Sequence, residues 1–403
     1  MKKLFIRLLW HYSLISPRKG MKIAGTMLAK FMFMIFYRHK VTAPLPITFI
    51  LRITNRCNLR CIQCGQWGAR GVHQTNKDNA LHEELSMEEW LLFIEQNKKM
   101  IPYISFFGGE PFLRNDVLQV AKYASERGIP LEIATNGLFL QEKAEDIVES
   151  HIDYISVSID GPEDINNSIR RGVGNRYQII VSGVEKLLSI RRKKKSIVPV
   201  VEICFTVTSQ NYKYALETYG IAKQLGVDVF RLQLGIFTTE PLERISSQMY
   251  QDVFGIRPSY WKGFIRDVSE INPAVIKEQL KAIQEDVSRN KKILFRQIPS
   301  CSFDIHDYFF APGKSLLNDR CTVPWKYLQV LPNGDIVLCM DFADLIGGNI
   351  RVDDWRNAWN GEKFKKFRNH ILENGTFPSC SRCCTYFSSI SESKAKRFAK
   401  SLF

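Results

Sequence analysis

The sequence predicts an α/β protein built on a partial (β/α)6 barrel of the TIM type, with helices before the barrel and a small domain after it. Two observations predict this fold class. From Ile47 onward, short β-branched or apolar runs alternate with segments of helical periodicity, which is the pattern of parallel β/α units. The alternation stops after Gly235, at six units or nearly so, and six units make an open barrel instead of a closed eight-stranded one.

Strands and helices are predicted in turn along the barrel. The first helix begins at Ser86, because Ser-Met-Glu-Glu places Glu89 at the capping-box position before an apolar face. A polar helix over Pro273–Asn290 follows the barrel. The six strands are Ile47–Ile53, Tyr103–Phe107, Leu131–Ala134, Tyr154–Ile159, Val200–Val207 and Val229–Leu234. The other four barrel helices are Asp116–Arg127, Glu142–Ser150, Gln178–Arg191 and Tyr212–Leu225.

This order of elements divides the chain into five parts. With 403 residues, of which 45% are hydrophobic, the chain is long enough for two or three domains with cores of their own, and a disordered or fibrous protein is excluded. The parts are N-terminal helices over 1–45, the barrel over 46–235, a mixed connecting region over 236–315, a cysteine-rich domain over 316–390 and a tail over 391–403.

The formal charge of +15 comes almost entirely from the N-terminal part of the chain. Fourteen Lys or Arg and no acid precede Asp78, which leaves 42 basic against 41 acidic residues in the remainder. Lys3, Arg7 and His11 recur at four-residue spacing, which predicts an amphipathic helix with a basic stripe. A second, mostly apolar helix over Met27–Tyr37 is too short to span a bilayer.

Two interpretations of residues 1–40 stay open. Basic, apolar helices suit a peripheral contact with an anionic membrane surface, and they equally suit packing on the outside of the barrel. The protein is expected in the cytoplasm in either case, since no cleavable export signal precedes the barrel. Nucleic acid is a weaker candidate partner, because no recognised nucleic-acid module accompanies the charge.

Directly after the first predicted strand, Cys57, Cys61 and Cys64 form a C-x3-C-x2-C loop. Three thiolates this close repel one another unless a metal neutralises them. An electron-carrying [4Fe–4S] cluster takes four cysteines, so three would leave one iron open to an exogenous ligand. Zinc is the alternative metal, but a structural zinc site needs a fourth protein ligand, and His73 is the nearest candidate.

Together with segments at the following strand ends, this loop resembles the radical S-adenosylmethionine (SAM) enzymes. A Gly-Gly-Glu-Pro segment follows the second strand, Thr-Asn-Gly ends the third, Ser-Ile-Asp-Gly-Pro ends the fourth, and an arginine comes next. The resemblance implies that these segments line a SAM site at the carboxyl ends of the barrel strands. The SAM-binding residues implied are Gly108, Gly109, Glu110, Pro111, Asn136, Ser158, Asp160 and Arg170. Gln63 departs from the family, which usually has an aromatic residue there, and Trp67 is the nearest substitute.

The family resemblance also implies the chemistry. SAM would chelate the open iron, and an electron from a reductant such as flavodoxin or ferredoxin would cleave its carbon–sulfur bond. The 5′-deoxyadenosyl radical so formed would abstract a hydrogen atom from the substrate. The protein would position the substrate carbon and exclude water.

A second group of cysteines lies in the C-terminal part and resembles the SPASM domain, an auxiliary-cluster module of radical SAM enzymes. Short strands over Leu328–Leu331 and Ile336–Cys339 are joined at Asn333-Gly334, a preferred hairpin turn. The ligands expected for one auxiliary [4Fe–4S] cluster are Cys321, Cys339, Cys380 and Cys383, with Cys384 as an alternative to Cys383. Zinc is the alternative metal. Cys204 and Cys301 are expected to be buried as small apolar residues.

Two functions are consistent with these sequence patterns. The first is a radical SAM enzyme that oxidatively modifies an unactivated carbon of a peptide, lipid-linked, carbohydrate or other natural-product substrate. The second is a non-catalytic zinc or iron–sulfur module that binds a membrane surface or RNA.

Overall fold

A single ten-stranded sheet forms the centre of the protein in the computed structural model, which describes residues 17–32, 40–75, 83–290, 292–299, 303–316 and 320–388. Its strands are β1 Thr48–Thr54, β2 Ile104–Gly108, β3 Leu131–Thr135, β4 Tyr154–Ser158, β5 Val200–Val207, β6 Val229–Leu234, β7 Leu294–Ile298, β8 Tyr327–Val330, β9 Asp335–Val337 and β10 Ile346–Asn349. The first six match the predicted strands to within two residues and pair in parallel in chain order. In the part of the chain described, the sheet does not close on itself, so the prediction of an open α/β barrel is confirmed.

The sheet extends beyond the six predicted strands at both edges. β7, from the region that was only predicted to be mixed, pairs in parallel with β6. β8 pairs in parallel with β1, with Phe49 opposite Leu328, and continues into the antiparallel strands β9 and β10. The C-terminal cysteine region is therefore attached to the barrel through backbone hydrogen bonds of the same sheet.

Helices connect the parallel strands and cover their outer face. The predicted capping box is present: Glu89 N donates to Ser86 Oγ over 3.2 Å, and Ser86 N donates to Glu89 Oε2 over 2.7 Å. The longer helices are Pro17–Met32, Met87–Asn97, Val117–Glu126, Leu140–Glu149, Arg176–Lys193, Ala215–Leu225, Glu240–Phe254, Pro273–Asn290 and Glu362–Asn374. The shorter ones are Val72–Thr75, Glu163–Ile169, Ile305–Phe310, Trp355–Trp359 and Cys384–Ser388.

Alternate residues of each strand face either the helices or the barrel interior. In β1, Phe49, Leu51 and Ile53 are fully buried in the hydrophobic core under the helices. The interior is polar: Ser105 Oγ donates to Glu132 over 2.8 Å, and Arg231 Nε lies 3.1 Å from Glu202. The interior below the strand ends is thus filled by hydrogen-bonded side chains.

The helix Pro17–Met32 packs on the barrel. Lys19 Nζ lies 3.0 Å from the Asp153 carboxylate, both side chains being almost fully buried, and Lys22 Nζ donates to Ile101 O over 2.7 Å. The second predicted helix, Met27–Tyr37, therefore begins earlier, and its end, like the first helix around Lys3, lies outside the described residues. None of the helices in the described ranges combines the length and the apolar character needed to cross a membrane.

Candidate active site

A cavity of about 320 Å³ lies at the carboxyl ends of the parallel strands. Its volume falls in the range of small-molecule sites. The cysteine loop after β1 and the ends of β2 to β6 form one part of its wall. Eight of the predicted metal or SAM ligands line it: Cys57, Cys61, Cys64, Gly108, Gly109, Asn136, Ser158 and Arg170. The parallel register thus brings together residues that are more than 100 positions apart in sequence.

Backbone amides of the cysteine loop point at the thiol sulfurs. Leu59 N donates to Cys57 Sγ over 3.5 Å, and Trp67 N donates to Cys64 Sγ over 3.3 Å. Such N–H···S bonds stabilise negative charge on sulfur and are common around iron–sulfur clusters. The donor set therefore fits a cluster that would be held by three cysteines at the wall of the cavity.

Burial raises the pKa of Cys57 to about 11 and that of Cys61 to about 12. Both thiols would therefore stay protonated at neutral pH unless a cation is bound, because a metal ion deprotonates the thiols that coordinate it. Within the described ranges, no three His, Cys, Asp or Glu side chains stand in a ready-made metal-ligating arrangement.

Gly108 and Gly109 allow the end of β2 to lie against the cysteine loop. A Cβ atom on Gly109 would come within 2.1 Å of Arg56 O, and one on Gly108 within 2.2 Å of Thr54 O. The close approach lets Glu110 N donate to Arg56 O over 2.8 Å. The two glycines thus fix the backbone that carries Cys57, in addition to lining the cavity.

Glu110 is fully buried and joins the ends of β2 and β3. Its carboxylate accepts hydrogen bonds from Phe112 N, Thr135 Oγ1 and Asn136 N over 3.1, 2.9 and 2.7 Å. Burial raises its pKa to about 7. Glu110 and Pro111 are not among the residues lining the cavity, and the contacts of Glu110 give it a positioning role.

Asp160 links the cysteine loop, β5 and Arg170. Arg170 Nη2 lies 2.8 Å from its carboxylate, Gln63 Nε2 donates to it over 2.6 Å, and Thr206 N donates to it over 3.0 Å. Asp160 is fully buried behind the cavity wall, whereas Arg170 and Gln63 line the cavity. The arginine charge beside Cys61 is therefore balanced by a carboxylate of the protein.

Asn136 and Trp67, two other residues predicted to contact SAM, both interact with the cysteine loop. Asn136 Nδ2 donates to Asn58 Oδ1 in the cysteine loop over 2.9 Å. Trp67, the substitute for the aromatic residue missing at Gln63, does not line the cavity: its Nε1 donates to Asn55 O over 2.7 Å, and its ring packs on His73. It stabilises the cysteine loop from behind.

Another part of the cavity wall was not predicted. It comes from the region after β6, where Phe237, Phe264, Val268, Ile271 and Phe309 form a mainly apolar surface. Arg266 stands among them. The sequence carries no motif for these residues, and only the crossing of this region over the strand ends brings them to the cavity.

The second cysteine group surrounds the hairpin and the following short helices. Cys339 follows β9, and Cys380 lies in a 3₁₀ turn over Pro378–Arg382. Tyr250 is buried, and burial, followed by the charges of Cys339, Asp344 and Cys380, raises its pKa. The turn contacts the connecting region, because Thr238 Oγ1 donates to Ser379 Oγ over 3.2 Å.

Two predictions on single cysteines have different outcomes. Cys204 is buried on β5, as predicted, and its sulfur accepts a hydrogen bond from Arg231 Nε over 3.2 Å. Cys301 lies outside the described residues.

Comparison with known proteins identifies the family. The profile of the radical SAM superfamily matches residues 51–203, and that of SPASM, an iron–sulfur cluster-binding domain, matches residues 321–384. The chain is 31% identical over 324 residues to an Fe-coproporphyrin III synthase of Methanosarcina barkeri, a match that covers 78% of this chain and 68% of that one. It is 26% identical over 321 residues to the AdoMet-dependent heme synthase of the same organism, covering 78% and 83%.

Among solved structures, Streptococcus suis SuiB bound to S-adenosylmethionine has a similar fold. Its TM-score is 0.58 at 15% identity, with 86% of this chain and 72% of that chain covered. The chain belongs to the radical SAM superfamily. It is a radical SAM enzyme of the SPASM type. This membership implies a SAM-binding [4Fe–4S] cluster in the barrel and auxiliary iron–sulfur clusters in the C-terminal domain.

Proposed function

We propose that this enzyme uses SAM for the oxidative modification of an unactivated substrate carbon in the cavity at the strand ends. The observation that carries the proposal is that Cys57, Cys61 and Cys64 line the same cavity as the strand-end residues of β2 to β4. When bound, the cluster and SAM supply a 5′-deoxyadenosyl radical, which is the species that removes the substrate hydrogen atom.

The residues of the chain bind and orient. Cys57, Cys61 and Cys64 would hold the cluster, with backbone N–H groups directed at two of the sulfurs. The remaining residues would hold SAM or fix the segments that do so. Those that line the cavity are Gly108, Gly109, Asn136, Ser158 and Arg170, and those that support them from behind are Glu110, Pro111 and Asp160.

The second cysteine group would hold one auxiliary [4Fe–4S] cluster through Cys321, Cys339, Cys380 and Cys383. Cys383 is buried and Cys384 is half-buried, which favours Cys383 as the inward-facing ligand. Such a cluster supplies an electron acceptor, and this is the reason for proposing an oxidation and not an isomerisation.

The substrate class is proposed at the level of a peptide, lipid-linked, carbohydrate or other natural-product molecule. The similar proteins named above include tetrapyrrole synthases, which supports a natural product. A flavodoxin or ferredoxin is the proposed reductant. Cytoplasmic location stays a prediction, as does peripheral membrane contact through residues 1–40. Flotation with anionic liposomes tests the membrane contact by comparing the full-length protein with a variant that starts at Val41.

Iron and sulfide analysis after anaerobic purification tests the cluster assignment. About eight irons per chain are expected for two four-iron clusters, and about four for a Cys57/Cys61/Cys64 triple alanine variant. Replacement of Cys204 by alanine is the matched control and should leave the iron content unchanged. Zinc in place of iron would instead support the non-catalytic binding module.

A further inference from the structure

The cavity contains a second arginine, Arg266, whose place is fixed by backbone contacts with Thr238 in the segment after β6. Thr238 N donates to Phe264 O over 2.9 Å, and Arg266 N donates to Thr238 O over 3.3 Å. The guanidinium Nη1 donates to Ile265 O over 3.0 Å, which orients the side chain further. Arg266 is therefore held beside Thr238, with its guanidinium at the cavity wall.

The other two guanidinium nitrogens of Arg266, Nε and Nη2, are buried and have no hydrogen-bond partner among the described residues. These two atoms carry parallel N–H bonds on one edge of the guanidinium plane. That edge is the one with which arginine forms a bidentate pair with a carboxylate. We call the edge formed by Nε and Nη2 the guanidinium fork. A buried donor without a partner destabilises the protein, so this pair of unpaired donors indicates a ligand that accepts both hydrogen bonds.

Among the described residues, Arg266 also has no carboxylate partner for its charge, and the acidic group that acts on it is the thiol of Cys64. No described carboxylate lies within 4.0 Å of its guanidinium. The neighbouring Asp267 also lines the cavity, but it is exposed and accepts a hydrogen bond from Ser269 N over 2.9 Å. Arg170, in contrast, has Asp160 at 2.8 Å. Of the two cavity arginines, only Arg266 therefore lacks a carboxylate of the protein.

The surroundings of Arg266 indicate the kind of molecule that brings the missing anion. Val268, Ile271 and the stacked rings of Phe237 and Phe309, whose centroids are 6.0 Å apart, line the same part of the cavity. An apolar wall around one cationic fork suits a molecule with an apolar body and a carboxylate.

We infer that Arg266 binds a carboxylate group of the substrate, so that the substrate of this enzyme is an apolar carboxylic acid or a larger molecule that presents one. The inference rests on the proposed function, because it assigns the substrate part of the same cavity. The carboxylate of SAM is the other source of the same chemistry, and the experiment separates the two.

Equilibrium dialysis of the anaerobically prepared, SAM-loaded holoenzyme tests the inference with 3-phenylpropanoate and its neutral analogue 3-phenylpropanamide. The wild type is expected to bind the carboxylate at least about tenfold more tightly than the amide, since the pair is bidentate and charge-assisted. Arg266→Gln should abolish this preference, and Arg266→Lys should keep part of it. Arg257→Gln, at an exposed arginine of the same connecting region, is the matched control and should behave as the wild type.

The Kd for SAM, measured by dialysis on the same variants, distinguishes the two sources. It should change less than about twofold in Arg266→Gln if the fork serves the substrate. A tenfold loss of SAM affinity would assign Arg266 to SAM and overturn the inference. Equal binding of the two probes by the wild type, including no binding of either, would overturn it as well. Failure of the proposed function is separately visible as loss of iron and of SAM binding in the wild type.

Discussion

Gln63 Nε2 donates a hydrogen bond of 2.6 Å to the Asp160 carboxylate, and this contact joins the cysteine loop to the end of β4. Asp160 in turn binds Arg170, so a residue between two cysteines is coupled to the main cationic residue at the strand ends. The residue between Cys61 and Cys64 is thus part of a polar network.

Substitution of Gln63 tests this network. Gln63→Leu removes one hydrogen bond to a charged group, worth about 1.5–3 kcal/mol, and should weaken SAM binding. Gln63→Glu should weaken it more, because a second carboxylate would face Asp160 at the same distance. SAM binding by equilibrium dialysis and thermal unfolding measure both effects. Equal behaviour of the two variants would contradict the role of the Gln63 to Asp160 contact.

Gly109→Ala should prevent normal assembly of the cysteine loop. Its Cβ would come within 2.1 Å of Arg56 O, a backbone atom that cannot move without shifting Cys57. We expect a large loss of iron content and a lower unfolding temperature. Gly220→Ala is the matched control, since a Cβ there meets nothing within 4 Å and alanine favours a helix. Full cluster loading in Gly109→Ala would show that the loop tolerates the shift.

Lys19→Ala should release the helix Pro17–Met32 from the barrel. It leaves the nearly buried Asp153 carboxylate without the ammonium 3.0 Å away, and breaking a buried ion pair costs about 3–5 kcal/mol. Lys194→Ala removes an exposed pair with Glu149 and should have a much smaller effect, because solvent screens that pair. Urea unfolding compares the two. Similar stabilities would mean that the helix contributes little to the fold.

His73 should make stability depend on pH in the acidic range. Burial, and then the charge of Arg52, lowers its pKa to about 3, whereas in the unfolded chain the pKa is about 6.5. The unfolded state therefore binds an extra proton below pH 6.5, and stability is lost as the pH falls from 6.5 towards 3. Between pH 7.5 and 5.0 the wild type should lose about 2 kcal/mol more than His73→Gln in urea unfolding. Parallel losses in both proteins would refute a buried neutral His73.

The six barrel strands and the cysteine triplet could be predicted because both are local features. Buried parallel strands are continuous β-branched runs, and Cys57, Cys61 and Cys64 lie within eight residues of one another. Asn136 and Ser158 were implied by the resemblance to the radical SAM family, and their cavity positions agree with the rule that sites lie at the carboxyl ends of barrel strands.

The features that the sequence did not predict depend on contacts between distant segments. β7 contains Arg296 and Gln297, so its sequence lacks the apolar run that indicates a buried strand. The pairing of β8 with β1 joins Tyr327 to Thr48, which no local pattern specifies. Arg266 is a single arginine in an irregular segment, and only the fold places it at the cavity.

The central claim is that the cavity at Cys57, Cys61 and Cys64 performs reductive cleavage of SAM. The most direct measurement is 5′-deoxyadenosine formation by the anaerobically prepared protein with SAM and dithionite. The wild type should form it, and Cys64→Ala should form none while keeping the iron of the auxiliary site. Absence of 5′-deoxyadenosine from fully iron-loaded wild type, or its formation by Cys64→Ala at the wild-type rate, would contradict the claim.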